Sequence, residues 1–367
     1  MYEITVNELK NINKADAIII DIRDKIAYNH GYIPGAVSMP EKDESYFLEL
    51  NADENKTVIV YCSIGERSKG ITEILRSKGI KAYNLKGGFG AWLVSNNDIL
   101  SEKENMRYSR QMILPQTGKF GQEKLKKSKV LIIGAGGLGS PAALYLAAAG
   151  IGTIGIVDGD NVDISNMNRQ IIHNTVNIGQ SKVYSAKQRI NEINPFVDVC
   201  VYEEFITPEN ISDIIKNYDF IIDGADNFET KFLINDACVI EKKPFCHAGA
   251  VGFEGQVMTY APEKGVCLRC ILDDIPAGDV PSCSSYGIIG AVAGIIGSIQ
   301  ALEAIKYITC AGELLIGKIY VLNGLTMQSR TVEFKNRRKS CKVCGENAVI
   351  DDVIKYKEMY QRKNCTI

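Results

Sequence analysis

Four of the eleven cysteines form two pairs with two-residue spacing, Cys267/Cys270 and Cys341/Cys344. That spacing lets both thiolates of a pair bind one tetrahedral Zn²⁺. The pairs stand about seventy residues apart, so they must meet through the fold. A single redox-active CxxC is the competing reading. A fifth cysteine, Cys62, closes the strand-like run TVIVYC (57–62) and opens CSIGERS, ahead of a helical pattern. Its sulfur is expected in a loop of inward-pointing N–H groups at a helix N-terminus, a setting that stabilises a thiolate or a bound anion. Four residues separate Cys62 from Arg67, a ring tight enough to suit a persulfide sulfur better than a phosphate. Cys283, in PSCSSYGIIG, precedes an apolar helix; it reads equally as a thiol activated by a helix start and as a small loop residue.

A second chemistry is written around residue 134. The run KVLII (129–133) leads into Gly134-Ala-Gly136-Gly137-Leu-Gly139 and then SPAALYLAAAG, so a GxGxxG-type loop joins a strand to a helix. Backbone N–H groups and the helix dipole there favour an anion. Asp158 lies 24 residues after Gly134 at the end of the next strand, where a carboxylate can accept hydrogen bonds from ribose hydroxyls. These features alone fit NAD, FAD or ATP. Beyond Asp158 and Asp160, the segment Ser165-Asn166-Met-Asn168-Arg169-Gln170 gathers donors and a fixed cation, and Lys182 follows. Arg169 and Lys182 together would neutralise a triphosphate better than a pyrophosphate, although each alone reads equally as a solvated helix face. Asp226, in DGADNF after the strand DFIID, could hold Mg²⁺ with Asn227 beside it; an Asp-Asn turn without metal has the same sequence.

Two α/β domains must position these groups. Short β-branched runs alternate with helical stretches over 1–97, making a small α/β unit. Residues 98–105 are polar without periodicity and read as a linker, and 106–367 reads as a second domain. There, KVLII, TIGIVD, 198–202 and DFIID alternate with helices, which predicts a mostly parallel, doubly wound sheet. Lys+Arg total 42 against 44 Asp+Glu, so no broad basic field is offered to nucleic acid or anionic lipid. The N-terminus lacks a signal or transit pattern, and the expected location is the cytoplasm. The longest nearly uncharged run, 286–299, falls short of a membrane span and reads as a buried helix. His30, His173 and His247 are spaced too widely to suggest a metal triad and read as packing or capping residues.

The motifs RYSRQMILPQTGKFGQEKL (107–125), GAGGLGSPAALYLAAAGIG (134–152), DGDNVDISNMNRQ (158–170), DGADNFETKFLINDAC (223–238), FEGQ (253–256), CLRC (267–270) and GIIGSIQALEAIK (294–306) occur in order. Together they resemble the E1-like ThiF/MoeB/HesA adenylyltransferases that activate ubiquitin-like sulfur carriers. The resemblance implies a Rossmann-like domain in which ATP and the carboxylate of a carrier ending in Gly-Gly form an acyl-adenylate and pyrophosphate. It places Gly137 at the phosphates and Asp158 at the ribose, with Asn168, Arg169 and Lys182 on the triphosphate and Asp226 on Mg²⁺. It also implies a structural Zn²⁺ at the four paired cysteines, a homodimer in which Arg110 reaches the partner's ATP site, and a thioester or acyl-disulfide role for Cys283.

The first domain is similar to a single-domain rhodanese, through IIIDIRD (18–24), HGYIPGAVSMP (30–40), the Cys62 loop and LKGGFGAW (85–92). Tyr32 departs from the usual His of GHIPGA, at a position that packs the fold. The similarity implies that Cys62 accepts sulfane sulfur as a persulfide framed by Arg67, from a donor such as a cysteine desulfurase or thiosulfate. Fusions of this kind usually carry the rhodanese last; here it comes first. The expected function is therefore carrier adenylylation followed by sulfur transfer to give a thiocarboxylate, for molybdopterin, thiamine or tRNA thiolation. A nucleotide-binding oxidoreductase with a sulfur-binding side domain and a noncatalytic carrier-docking assembly are the alternatives.

Overall fold

The computed structural model describes residues 2–13, 16–29, 31–40, 56–95, 100–276 and 286–360. His30, Cys283 and Cys365 lie outside these residues. Contacts divide the chain into two units, Met1–Glu123 and Lys124–Ile367.

The first unit holds β1 (Glu3–Ile4), α1 (Val6–Asn11), β2 (Ala17–Asp21), α2 (Lys25–Asn29), β3 (Ala36–Ser38), β4 (Thr57–Tyr61), α3 (Arg67–Ser77), β5 (Ala82–Leu85) and α4 (Gly88–Ser95). The five strands pair in parallel in the order β1-β5-β4-β2-β3. Alternation along each strand builds a core on both faces. Ile19, Ile59 and Leu85 join Val6, Leu9 and Phe89 on one side, while Ile20, Val58 and Val60 join Ile71 and Leu75 on the other. Each fully buried Ile contributes about 1.5–3 kcal/mol of transfer free energy.

The segment expected as a linker contains a helix start. In α5 (Glu102–Met112) the Ser101 hydroxyl accepts from the Glu104 N–H at 3.3 Å, and Glu104 Oε2 accepts from the Ser101 N–H at 2.9 Å. This reciprocal cap satisfies two orphan donors in a stretch that has no apolar periodicity to announce a helix. Helix α6 (Gly118–Lys127) follows.

The second unit is built on an eight-stranded sheet ordered β13-β12-β11-β10-β9-β6-β7-β8. Its strands are β6 (Lys129–Ile133), β7 (Thr153–Val157), β8 (Asp198–Tyr202), β9 (Phe220–Asp223), β10 (Phe245–Val251), β11 (Glu254–Tyr260), β12 (Lys318–Asn323) and β13 (Gln328–Glu333). The run β10-β9-β6-β7-β8 is parallel, and β11 to β13 extend it antiparallel. On one face α7 (Gly139–Ala149), α8 (Lys182–Ile193) and α12 (Gly290–Thr309) pack against Val130, Ile132, Ile154 and Phe220. On the other, α9 (Ile211–Ile215) and α10 (Phe228–Ile240) cover Leu131, Ile133 and Ile221, beside the short α11 (Leu268–Ile271).

The apolar helix differs from expectation. It starts at Gly290 and runs 20 residues to Thr309, long and apolar enough to cross a membrane by length and composition alone. Gln300 and Glu303, which ended the uncharged run in sequence, are inside the helix and buried. Gln300 Nε2 donates to the carbonyls of Asp223 (2.8 Å) and Cys246 (2.9 Å), and Glu303 Oε2 accepts from Thr259 Oγ1 (2.6 Å) and the Leu315 N–H (2.8 Å). These partners make it a core helix of the sheet.

Candidate functional site

In the first unit, β4 ends directly before Cys62 and α3 begins five residues after it. Cys62 is 1% exposed. The Gly65 N–H points at Sγ from 3.1 Å, and Ser68 Oγ lies 3.4 Å away. Burial pushes the thiol up, but hydrogen bonds to the sulfur, those of the Ser68, Ile64 and Gly65 N–H groups among them, outweigh it and hold the pKa below the ordinary thiol value. The Gly87-Gly88 turn closes the loop, with the Phe89 N–H donating to the Cys62 carbonyl at 2.8 Å. Gly88 has φ +58°, and a Cβ there would stand 2.3 Å from the Cys62 carbonyl oxygen, so only glycine permits this closure. Arg67 opens α3 with an exposed side chain. Among the described residues of the unit the buried cation is Arg23, which forks onto Asp21 and stacks 3.8 Å from the centre of the Phe89 ring.

In the second unit, the glycine loop leaves β6 and opens α7. A Cβ on Gly139 would stand 1.9 Å from the Gly134 carbonyl oxygen, and Gly134 itself has φ +96°. Asp158, at the end of β7, accepts from the Ala135 N–H at 2.8 Å and the Asp160 N–H at 2.9 Å. Lys182 Nζ sits 2.7 Å from Asp160 and 3.9 Å from Asp158, buried at the start of α8. Burial pushes the Asp158 carboxyl up, and Lys182 with the two N–H groups pulls it back only in part. Arg169 donates to the Ser165 carbonyl at 2.9 Å and to Asn168 Oδ1 at 3.0 Å, and its stem lies over Gly137. The Asn168 backbone meets Gly290 at the start of α12, where a Cβ would stand 2.2 Å from its oxygen. Asn166 continues the short turn that carries Ser165. Gln170 is buried beside Gly136, and its Oε1 has no hydrogen-bond partner. Glycines that leave no room for a Cβ fit a loop whose backbone approaches a phosphate-bearing ligand closely.

Asp226 is exposed at the C-terminal end of β9. Asn227 is committed locally: Oδ1 caps α10 by accepting the Thr230 N–H at 2.8 Å, and Nδ2 donates to Asp226 Oδ1 at 3.3 Å. One exposed carboxylate at the end of β9 suits Mg²⁺, which takes one or two carboxylates and completes its shell with phosphates and water. Arg110 is exposed on α5, grouped with the first unit.

The four paired cysteines converge. Neighbouring Sγ atoms are 3.3–4.0 Å apart, and all lie within 4.8 Å of one another. A tetrahedron with metal–sulfur bonds of about 2.3 Å needs edges of about 3.8 Å, so the cluster is suited to metal ligation. Arg269, inside the first pair, is 0% exposed and bonds Asp236 of α10 at 2.8 Å; Tyr360 donates to the same carboxylate at 2.7 Å.

Sequence reasoning passed over several groups. Asp223 at the end of β9, Lys231 on α10 and His247 within β10 form a buried cluster: His247 Nδ1 is 2.7 Å from Asp223 Oδ2, and Lys231 Nζ is 3.4 Å from Oδ1 and 2.6 Å from the Ala248 carbonyl oxygen. An acidic residue closing the apolar strand FIID was the available signal. His173 and His247 are buried, hydrogen-bonded packing residues. Ser68 and Asn84 flank Cys62, and the inward position of Asn84 in AYNL was the signal there.

A mostly parallel sheet with a glycine loop, an acidic residue on the next strand and a four-cysteine knuckle, joined to a small α/β unit cradling a cysteine, defines a Rossmann-like ThiF-type domain with a rhodanese-like domain. Residues 108–343 match the ThiF family and residues 5–95 the rhodanese-like domain; the chain belongs to the ThiF family, with its rhodanese-like domain at the N-terminal side. It is 44% identical over 264 residues to the adenylyltransferase and sulfurtransferase MOCS3 of Dictyostelium discoideum, covering 71% of this chain and 62% of that one. It is 44% identical over 256 residues to the probable adenylyltransferase/sulfurtransferase MoeZ of Mycobacterium tuberculosis (strain CDC 1551 / Oshkosh), covering 68% and 65%. Matches to such relatives cover about half to two thirds of their length. Among solved structures, E. coli MccB shares the fold at TM-score 0.60 and 22% identity, covering 84% of each chain.

Proposed function

We propose that this protein adenylylates the C-terminal Gly-Gly carboxylate of a ubiquitin-like sulfur carrier with ATP, then replaces the adenylate by sulfur delivered through a Cys62 persulfide. The observation that carries the reading is a phosphate loop ringed by Asp158, Lys182, Arg169 and Asp226 in the same chain as an N–H-cradled cysteine. The domains are taken as 1–97 and 106–367 around the segment 98–105.

In this reading Gly137 and Gln170 border the phosphates, Asp158 binds the ribose, and Asp160 holds Lys182 in reserve for the phosphates. Ser165, Asn166 and Asn168 shape the turn that presents Arg169. Attack of a carboxylate on the α-phosphate brings two anions together, and Arg169 and Lys182 offset that repulsion. Mg²⁺ held by Asp226 supplies further charge neutralisation, and Zn²⁺ at Cys267, Cys270, Cys341 and Cys344 is structural. Asn227 holds Asp226 through its amide. The chain acts as a homodimer in the cytoplasm, with Arg110 completing the partner's site. Tyr145, Ile171, Ile295 and Leu302 support this reading, since they expose an open apolar groove of about 520 Å³ between α7 and α12.

For sulfur transfer, the terminal sulfur of the Cys62 persulfide attacks the acyl carbon, AMP leaves, and an acyl disulfide forms. A thiol, Cys283 or an external one, then attacks Sγ of Cys62 and releases the thiocarboxylate; the resulting disulfide is reduced by an external thiol. Arg67 guides the anionic partners to Cys62. The donor is a cysteine desulfurase or thiosulfate. The test supplies ATP, Mg²⁺, thiosulfate and a Gly-Gly carrier, and reads carrier mass. The expected result is a gain of one sulfur in place of one oxygen, lost in Cys62→Ser while adenylylation persists. Thiocarboxylate formation unaffected by Cys62→Ser would overturn the sulfur-transfer role.

A further inference from the structure

Ser68 and Asn84 are buried, at 0% and 1% exposure, and meet beside the Cys62 sulfur. Asn84 Nδ2 faces two groups that only accept, the Gly65 carbonyl oxygen at 3.0 Å and Glu3 Oε1 at 3.2 Å. That identifies the NH₂ end of the amide, so the atom turned toward Ser68, 2.6 Å from its Oγ, is Oδ1. An amide oxygen cannot donate, and the single hydroxyl proton of Ser68 therefore lies on the line to Asn84. With that proton given to Asn84 across the shorter contact, Ser68 cannot at the same time donate to Sγ, 3.4 Å away.

We infer that Asn84 is a positioning residue for the sulfur acceptor, holding the Ser68 proton so that Ser68 withholds a donor from the sulfur anion until its hydroxyl turns. This rests on the reading of Cys62 as the acceptor. In the resting arrangement an anionic sulfur has the loop N–H groups, Gly65 among them, but not the hydroxyl. Turning the hydroxyl exchanges the bond to Asn84 for a charge-assisted bond to sulfur, which couples ionisation to one side-chain rotation. The charged groups around the loop are Glu3 from β1, the Asp21–Arg23 pair at the end of β2, Glu66, Arg67 and Lys69 at the start of α3, and Lys86 after β5. All are retained in every variant below.

Ionisation of Cys62 is read in the full chain from the pH dependence of its alkylation by iodoacetamide, followed on the Cys62 peptide by mass spectrometry. Asn84→Ala is expected to lower the midpoint by about one pH unit, because Ser68 is then free to donate to the thiolate. The shift should vanish in the double variant Asn84→Ala/Ser68→Ala. A merely structural role for Asn84 predicts the opposite sign, since releasing the Gly65 carbonyl loosens the N–H cradle. Ser68→Ala leaves the Asn84 bonds to Gly65 and Glu3 in place and serves if Asn84→Ala folds poorly. Its midpoint is expected within about half a unit of wild type, because the bond gained by the anion replaces the one lost to Asn84. A rise of a full unit in Ser68→Ala would mean that Ser68 already donates to sulfur, and it would overturn the inference. So would an unchanged or raised midpoint in Asn84→Ala, or a fall that persists without Ser68. Sulfur loading is scored separately, as a persulfide mass on Cys62 of the wild type after thiosulfate, so failure of the acceptor reading is distinguishable from failure of this inference.

Discussion

His173 Nε2 lies 3.0 Å from the carbonyl oxygen of Ala135 in the glycine loop, while the N–H of that same alanine is held by Asp158 at 2.8 Å. A carbonyl only accepts, so Nε2 carries the proton, and Nδ1 accepts from Ser185 Oγ at 2.9 Å. Burial favours the neutral ring, the form in which Nδ1 accepts that bond. Burial drives its pKa from 6.5 down to about 4, with Lys182 adding to the fall and the Ala135 carbonyl opposing it. The unfolded chain binds more protons than the folded one between these values, so this stabilisation is full above about pH 6.5 and is lost as pH falls toward 4. Urea unfolding from pH 7 to 4.5 should show a shallower pH dependence in His173→Asn than in the wild type. His247, also lowered by burial, acts in the same direction and leaves a residual slope. Identical pH dependence in the two proteins would contradict this assignment.

Lys231 is 7% exposed, and its partner Asp223 is 0% exposed. Although burial pushes Asp223 up, Lys231 and His247 hold its carboxyl below the usual carboxylate range, so it is ionised at neutral pH. Removing Lys231 leaves a buried carboxylate short of a cation. Lys231→Met is expected to cost about 3 kcal/mol in urea unfolding, and adding Asp223→Asn should recover a large part of it. A cost below about 1 kcal/mol, or no recovery in the double variant, would show that the cluster is not an ion pair of this kind.

The four-cysteine cluster ties residues 341–344 to the 267–270 knuckle. Cys341→Ser should reduce bound zinc from about one per chain to near zero, measured by elemental analysis. Because metal binding is coupled to folding, the same variant should melt at a lower temperature, and a chelator should lower the wild type toward it. A metal-free wild type with an unchanged melting temperature would remove the structural role.

Much of this fold was legible because its strands are short, apolar and bounded by turn residues. Ala17–Asp21, Lys129–Ile133 and Asp198–Tyr202 stand where their apolar runs put them, and the strand expected over 57–62 ends one residue early at Tyr61, where Cys62 turns into its loop. The β10–β11 hairpin was harder, since FCHAGAV and EGQVMTY mix His, Gly and Gln into strands whose inward residues pack against α12 and the metal knuckle. At the site, motifs exposed the glycine loop, Asp158 and the cysteines, whose chemistry depends on local spacing. They did not expose the His173–Ala135 bond, the Asp223 cluster or the Ser68–Asn84 pair. Those partners lie 38, 24 and 16 residues apart, with nothing in the intervening sequence to link them. Arg269 was hidden for another reason: a charged residue between two cysteines reads as exposed, yet Asp236 and Tyr360 bury it completely.

The central claim is adenylylation, and ATP–pyrophosphate exchange by the purified full chain with Mg²⁺ and a Gly-Gly carrier tests it most directly. Exchange should require the carrier and fall by at least about a hundredfold in Asp226→Ala, with zinc content and secondary structure unchanged. Absence of exchange with every Gly-Gly carrier tried, in protein that still binds ATP and zinc, would contradict the account.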